Sequence, residues 1–120
     1  MVIAIDFDGC ITTENCFPNI SELRPYAKEA IKHFQEAGLK CILWTCRFDK
    51  SLEDAKKWLN ENGIEMDAYN ENLYPLPSRK IVADVYIDDK NVFMVDDVDW
   101  RKIEGYIFLH LAEKQEVRIV

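Results

Sequence analysis

Acidic side chains occur as two close pairs that are far apart in the sequence. Asp6 and Asp8 are separated by one residue, and Asp88 and Asp89 are adjacent. Because crowded carboxylates repel one another, a site that gathers them needs a compensating cation. Oxygen ligands of this kind suit Mg²⁺, which usually keeps several waters and takes further oxygens from a substrate phosphate. The residue types therefore indicate a magnesium site that acts on a phosphate ester.

Each candidate residue has a separate chemical role in such a site. With the phosphate charge neutralised, Asp6 would attack phosphorus and form an aspartyl-phosphate, which splits the transfer into two steps. Asp8 would protonate the leaving alkoxide and later deprotonate the attacking water. The Thr45 hydroxyl and nearby backbone N–H groups would bind a phosphate oxygen, and Lys80 would add a positive charge. These roles together predict a magnesium-dependent hydrolysis of phosphate monoesters.

Compact apolar runs precede the candidate residues and predict buried strands. The runs cover residues 1–5, 39–44 and 81–87, and two further short strands are predicted at residues 92–95 and 117–120. Residues 67–77 are rich in turn-forming types and predict no regular element.

Three segments between these runs have apolar residues at helical spacing. Residues 26–37 follow Pro25, which suits the first turn of a helix, and end before Gly38. Residues 52–59 form a second amphipathic segment, and residues 100–113 form a third, preceded by acidic residues that predict an N-terminal cap. That cap set consists of Asp96, Asp97 and Asp99.

Strands that alternate with helices predict a mainly parallel sheet between helical layers, a three-layer α/β fold. Ligands of such sheets bind at the carboxyl ends of the strands. The two acid pairs and Thr45 all follow predicted strands, so we expect them to meet at one edge of the sheet.

The same residues resemble the four motifs of the haloacid dehalogenase-like (HAD) superfamily, in the superfamily's order and over nearly the whole chain. The resemblance implies a Rossmann-like core, a nucleophile at Asp6, an acid/base at Asp8, and phosphate binding by Thr45 and Lys80. It also implies that magnesium is held by Asp6, the main-chain carbonyl of Asp8 and one acid of the fourth motif, Asp89 in preference to Asp88. The matching segments are Asp6-Phe7-Asp8-Gly9, Leu43-Trp44-Thr45, Lys80 and Ile87-Asp88-Asp89.

Cap domains of this superfamily are inserted between the first and third motifs, and here those intervals are short. Residues 9–44 and 47–79 each have room for one helix and little more. The resemblance therefore implies the small capless type, with residues 1–120 as a single domain. Because an open site is often covered by a partner subunit or by the substrate, a homo-oligomer is an expectation. Residues 10–23 and 67–77 are the expected specificity loops.

Composition limits the class of partner. The 120 residues carry a net charge of −7 with 48% hydrophobic and 31% charged residues, an ordinary globular balance. No basic patch that would suit duplex DNA is evident, so a small phosphorylated metabolite is favoured over a nucleic-acid end. The sequence has no apolar run of membrane-spanning length and no signal-peptide pattern at Met1, so we expect a cytoplasmic protein without membrane attachment.

Two alternatives of other classes remain open at this point. A phosphorylatable receiver-like signalling domain also combines an acidic metal pocket with Thr and Lys, although in another order along the chain. An inactive metal-binding module on the same fold is the second. The roles of two arginines also remain open. Arg47 is either a substrate contact or part of a surface salt bridge, and Arg79 is an alternative to Lys80 as the phosphate ligand.

Overall fold

A computed structural model describes residues 1–92, 94–95 and 97–119, and for residues 113–119 only the backbone of their helix. Four strands and three helices alternate along most of this chain. The strands are β1 (Val2–Ile5), β2 (Lys40–Leu43), β3 (Ala68–Tyr69) and β4 (Val85–Ile87), and the helices are α1 (Ala27–Glu36), α2 (Asp49–Glu61) and α3 (Trp100–Ile119).

The strands form one parallel sheet in the order β3-β2-β1-β4. Ile5 of β1 pairs with Leu43 of β2 on one side and with Ile87 of β4 on the other. This confirms the predicted α/β class with a parallel sheet. The chain steps outward from β1 to β3 and then returns to place β4 on the opposite side of β1. Parallel sheets bind ligands where the strand order reverses in this way, and here the reversal lies beside β1.

One face of the sheet carries all three helices. Side chains alternate along a strand, so Ile3 and Ile5 of β1 point to the same face as Leu43 of β2. The three helices contribute buried residues to the same cluster, including Phe34 from α1, Leu59 from α2 and Trp100 from α3. The α3 stripe predicted from the sequence, Trp100, Ile103, Ile107 and Leu111, also packs here.

The opposite face is covered by an irregular segment, residues 70–84, rather than by a helix. Ala4 and Ile42 point to this face and pack with Ile81, with Leu73 and Tyr86 partly buried against them. A right-handed return from β3 to β4 has to cross the face opposite to the outward crossovers, which explains where the segment lies. The third layer of the predicted three-layer fold is therefore irregular chain throughout this described segment.

The structure corrects the predicted strand at residues 81–87, which is strand only from Val85. The amides of residues 82 and 83 are used elsewhere: Val82 N–H donates to Asn72 Oδ1 and Ala83 N–H to the Tyr86 hydroxyl. The turn-rich segment 67–77, in contrast, contains a strand, β3. Its two residues are too few to form an apolar run, so the sequence pattern did not predict it.

The two predicted C-terminal strands are wrong in the residues that the structure describes. Residues 92, 94 and 95 lie in turns and bends, and residue 93 lies outside the described residues. Residues 117–119 continue α3, because extending an existing helix outweighs the weak local preference of Val and Ile for strands. Val120 lies outside the described residues.

Helix α3 begins at the predicted acidic cap. The Asp99 carboxylate accepts hydrogen bonds from the N–H groups of Arg101 and Lys102. Asp97 instead pairs with Arg24 at 3.6 Å, and Asp96 lies outside the described residues. In the ranges that the structure covers, no helix combines the length and the apolar character needed to cross a membrane.

Candidate functional site

Three of the candidate acids meet at the carboxyl edge of the sheet. Asp6 directly follows β1, and its N–H donates to the carbonyl of Ile87 at the end of β4 over 2.9 Å. Asp88 and Asp89 directly follow β4. As a result, carboxylate oxygens of Asp6, Asp88 and Asp89 all lie within 4.8 Å of one another. We call these three residues the acid cluster.

Burial and neighbouring charges shift the pKa values of two members of the acid cluster in opposite directions. Burial raises the pKa of Asp6 from 3.8 to about 7, and the charges of Asp88 and Asp89 add to the shift against a lowering hydrogen bond from Phe7 N–H. Burial also disfavours ionised Asp89, but hydrogen bonds from Lys90, Asp88 and Asp6 outweigh it and lower the Asp89 pKa. With no cation bound, the cluster therefore retains a proton on Asp6 up to about neutral pH.

Gly9 allows Asp89 to approach the turn that follows Asp6. The backbone of Gly9 has φ +78°, and a Cβ atom added there would lie 2.6 Å from Asp89 Oδ2. The same Asp89 oxygen accepts a hydrogen bond from Lys90 Nζ at 3.1 Å. Gly9 thus meets two requirements at once, a left-handed backbone and an unobstructed path for a carboxylate.

Asp8 does not join the acid cluster but forms a buried ion pair with Arg47. Arg47 Nε donates to Asp8 Oδ2 over 2.7 Å, and Arg47 Nη2 donates to Asp8 Oδ1 over 2.8 Å. Only 1% of Arg47 and 9% of Asp8 is exposed. Bidentate pairs of this kind are the stronger class of charge-assisted hydrogen bond. Arg47 is therefore not the surface salt bridge considered from the sequence, and its guanidinium is already occupied.

The remaining donors of Arg47 connect the site to the loop of residues 10–23 and to helix α2. A guanidinium has five N–H donors, and the three not used by Asp8 all reach backbone carbonyls. The guanidinium also lies between two aromatic rings, 5.3 Å from the centre of Phe7 and 5.1 Å from that of Phe17. The three carbonyls belong to Ser51 at 3.2 Å, Asn19 at 3.0 Å and Pro18 at 3.4 Å.

Asn70 holds the loop that carries Thr45, a role that the sequence did not predict. Its Oδ1 accepts the Thr45 N–H at 2.8 Å, and its Nδ2 donates to the Arg47 carbonyl at 2.8 Å. Asn70 has φ 54°, a left-handed conformation that asparagine adopts more readily than most residues. The Thr45 hydroxyl accepts the Arg47 N–H at 3.2 Å. Thr45 therefore lies in a fixed loop after β2, next to the strand that carries Asp6.

Lys80 is placed on the same face of the sheet as Asp6 but is not joined to an acid. Its ammonium lies 4.6 Å from the centre of the Tyr86 ring. Tyr86 points to the face that is opposite to the helices, where alternation after Ile5 also directs Asp6. No salt bridge of Lys80 or of Arg79 is found among the residues that the structure describes, and both side chains are exposed.

Comparison with known proteins identifies one informative relative. No protein-family model and no functionally curated protein matches the chain. A solved structure, that of a conserved protein from Bacteroides thetaiotaomicron, is similar with a TM-score of 0.82 and 38% sequence identity. The match covers 92% of this chain and 91% of that one.

Proposed function

We propose that this chain, which belongs to the same family as the conserved Bacteroides thetaiotaomicron protein, is a magnesium-dependent phosphatase of the capless HAD type. It would hydrolyse phosphate monoesters through an aspartyl-phosphate formed on Asp6. The observation that carries the proposal is the acid cluster at the point where the strand order reverses. Its members come from two adjacent strand ends more than eighty residues apart in sequence.

The chemistry of the acid cluster fits a small divalent cation. Its donors are all carboxylate oxygens, which Mg²⁺ prefers, and burial together with the charges of Asp88 and Asp89 raises the pKa of Asp6. Asp6, Asp89 and Asp88 would hold the ion together with the Asp8 main-chain carbonyl. When bound, magnesium would neutralise phosphate oxygens and thereby lower the barrier to attack by an anion.

Asp6 is the proposed nucleophile. Its carboxylate oxygen would bond to phosphorus as the bond from phosphorus to the ester oxygen breaks, which releases the alcohol. Water would then cleave the acyl phosphate and return Asp6 to its free form. Thr45 and Lys80 would bind the phosphate oxygens, Thr45 by its hydroxyl, and Lys80 by its positive charge on the same sheet face.

Asp8 is the proposed acid/base, and its ion pair with Arg47 sets the hydrogen-bonding state from which it starts. In this conformation both Asp8 oxygens act as hydrogen-bond acceptors for Arg47. That state suits removal of a proton from the attacking water. Protonating a leaving alkoxide would require Asp8 to take up a proton and loosen its contact with Arg47.

The test is the magnesium-dependent hydrolysis of p-nitrophenyl phosphate by the wild type, Asp6→Asn and Asp54→Asn. Asp54 is a surface acid on α2 and is the matched control. We expect Asp6→Asn to abolish turnover and acid-stable protein-bound phosphate while its circular dichroism is unchanged, and Asp54→Asn to keep both. The protein-bound phosphate should form and be hydrolysed within the catalytic cycle, because persistent protein-bound phosphate would indicate a receiver-like domain. Normal turnover by Asp6→Asn would refute the proposal.

One observation favours a second candidate, a metal-binding module without turnover. The buried ion pair with Arg47 gives Asp8 a structural role that does not require it to act as an acid/base catalyst. Such a module would bind Mg²⁺ at the acid cluster, as measured by calorimetry, yet would release no phosphate from a broad panel of sugar phosphates, nucleotides and phosphorylated nucleic-acid ends. Magnesium-dependent release from any member of the panel would exclude it.

A further inference from the structure

A cavity of about 550 Å³ opens between the end of β2 and the irregular segment on the face opposite to the helices. Its size lies in the range of small-molecule sites. The proposed attack of Asp6 on phosphorus does not involve this cavity. The residues that line it include Trp44, Asn70, Tyr74, Leu76, Arg79 and Ile81.

The cavity adjoins the proposed nucleophile through Trp44. Ile5 and Leu43 form the last pair of β1 with β2, and Trp44 N–H donates to the carbonyl of Ile5 at 2.8 Å. Trp44 is therefore the neighbour of Asp6 across the sheet. Ile5 and Leu43 point towards the helices, so the next residue on each strand points to the other face, where the cavity lies.

The walls of the cavity combine exposed aromatic rings with a cation. Trp44 is 39% exposed and Tyr74 is 72% exposed, so both rings present aromatic surface to solvent. Arg79 is exposed, and its guanidinium forms no salt bridge within the described part of the chain. Aromatic faces stack on planar rings, and a guanidinium can stack or donate to ring nitrogens and carbonyls.

We propose that this cavity binds the leaving group of the phosphate ester and favours one with a planar aromatic ring, such as the base of a nucleoside 5′-monophosphate. The ring stacks on Trp44, and Arg79 donates to its polar edge. This inference rests on the proposed function, since it places the scissile phosphate at Asp6 beside Trp44. It names a substrate class that the acid cluster alone does not distinguish.

The kinetic test compares AMP and GMP with ribose 5-phosphate, because all three place the phosphate on the same primary alcohol. We expect kcat/KM to favour the nucleotides by about tenfold or more, since stacking one base on an aromatic side chain contributes about that factor. Trp44→Ala should bring the ratio close to one. Tyr106→Ala removes an exposed ring on α3, outside this cavity, and should leave the ratio unchanged.

A binding test separates this inference from the proposed function. Calorimetry with the Asp6→Asn protein and Mg²⁺ measures the affinity for the same three compounds without turnover. Turnover of all three esters with no preference in kcat/KM or in affinity would overturn the cavity assignment and leave the phosphatase intact. The opposite result is that the wild type turns over none of the three esters, while the Asp6→Asn protein binds the nucleotides more tightly than ribose 5-phosphate and Trp44→Ala removes this difference. That result would overturn the proposed phosphatase activity and leave the cavity assignment in place.

Discussion

Two carboxylates on one short turn, Asp6 and Asp8, have opposite environments. Asp8 is buried against Arg47, which matches both of its oxygens with N–H donors. Asp6 faces two further acids within 4.8 Å, and burial together with their charges raises its pKa to about 7. The chain therefore neutralises one acid with its own arginine and leaves the other beside like charges.

This difference separates a structural from a chemical use of the same residue type. A buried charge pair is stable only when both partners are present and hydrogen-bonded. Lys90 pairs with one acid of the cluster, and under the proposed function a bound cation would balance the remaining charge. On this view, removing Arg47 should primarily affect folding, whereas changes at Asp6 should primarily affect cation binding.

The largest expected effect is that of Arg47→Met on the free energy of unfolding. The substitution leaves Asp8 buried without a partner, and breaking a buried pair from one side costs about 3–5 kcal/mol. Urea denaturation monitored by circular dichroism would measure the loss. The double variant Asp8→Asn/Arg47→Met should regain part of it, because no charge is then left unpaired.

Lys50→Met is the matched control for that prediction. It breaks the exposed pair of Lys50 with Asp54 on α2, which we expect to cost at most about 1 kcal/mol. An Arg47→Met variant that is no less stable than Lys50→Met would contradict the structural role of the buried pair.

The next effect concerns the pH dependence of magnesium binding at Asp6. The cation must displace the proton that Asp6 retains below its pKa of about 7. The affinity should therefore fall by up to about tenfold per pH unit as the pH is lowered from 7 to 5. Calorimetry in two buffers of different ionisation enthalpy would detect about one proton released per ion at pH 5.5. Asp6→Asn should release none. A magnesium affinity of the wild type that does not change between pH 7 and 5 would contradict the prediction.

The raised pKa of Asp6 also determines how the unfolding free energy changes with pH when no magnesium is bound. Because the folded-state pKa of Asp6 is raised above its usual 3.8, the folded protein holds an extra proton between pH 3.8 and about 7. The contribution of Asp6 to the unfolding free energy is therefore complete below this window and is lost as the pH rises through it. Added magnesium should restore stability at the upper end of the window.

The sequence predicted most of the framework because the framework depends on local patterns. The apolar runs and helical stripes located β1, β2 and all three helices. It did not predict β3, since Ala68 and Tyr69 are strand only through their pairing with Ile42 and Leu43. Nor did it predict the irregular cover of the second sheet face, which follows from the return crossover and not from any local pattern.

The acid cluster was predictable and the Asp8–Arg47 pair was not, for a related physical reason. Residues that follow adjacent parallel strands meet whatever their side-chain directions, which brings Asp6 near Asp88. Asp8 lies in a turn, where strand alternation no longer determines direction, and it pairs with a residue 39 positions away. The available signal was that Arg47 follows β2 as Asp8 follows β1, so that the two loops are neighbours.

The smallest and sharpest test compares Gly9→Ala with Gly63→Ala. Both glycines have positive φ, +78° and +74°, so each alanine should cost about 1–2 kcal/mol of backbone strain. At Gly63 the added Cβ meets only the flexible end of Lys28 at 3.0 Å, but at Gly9 it lies 2.6 Å from Asp89 Oδ2. Gly9→Ala alone should therefore displace an acid of the cluster and weaken magnesium binding by about tenfold, roughly 1.4 kcal/mol. Equal magnesium affinities in the two variants would show that the turn at Gly9 does not position Asp89 as a ligand. The contrast between Asp6 and Asp8 would then depend on Asp6 alone.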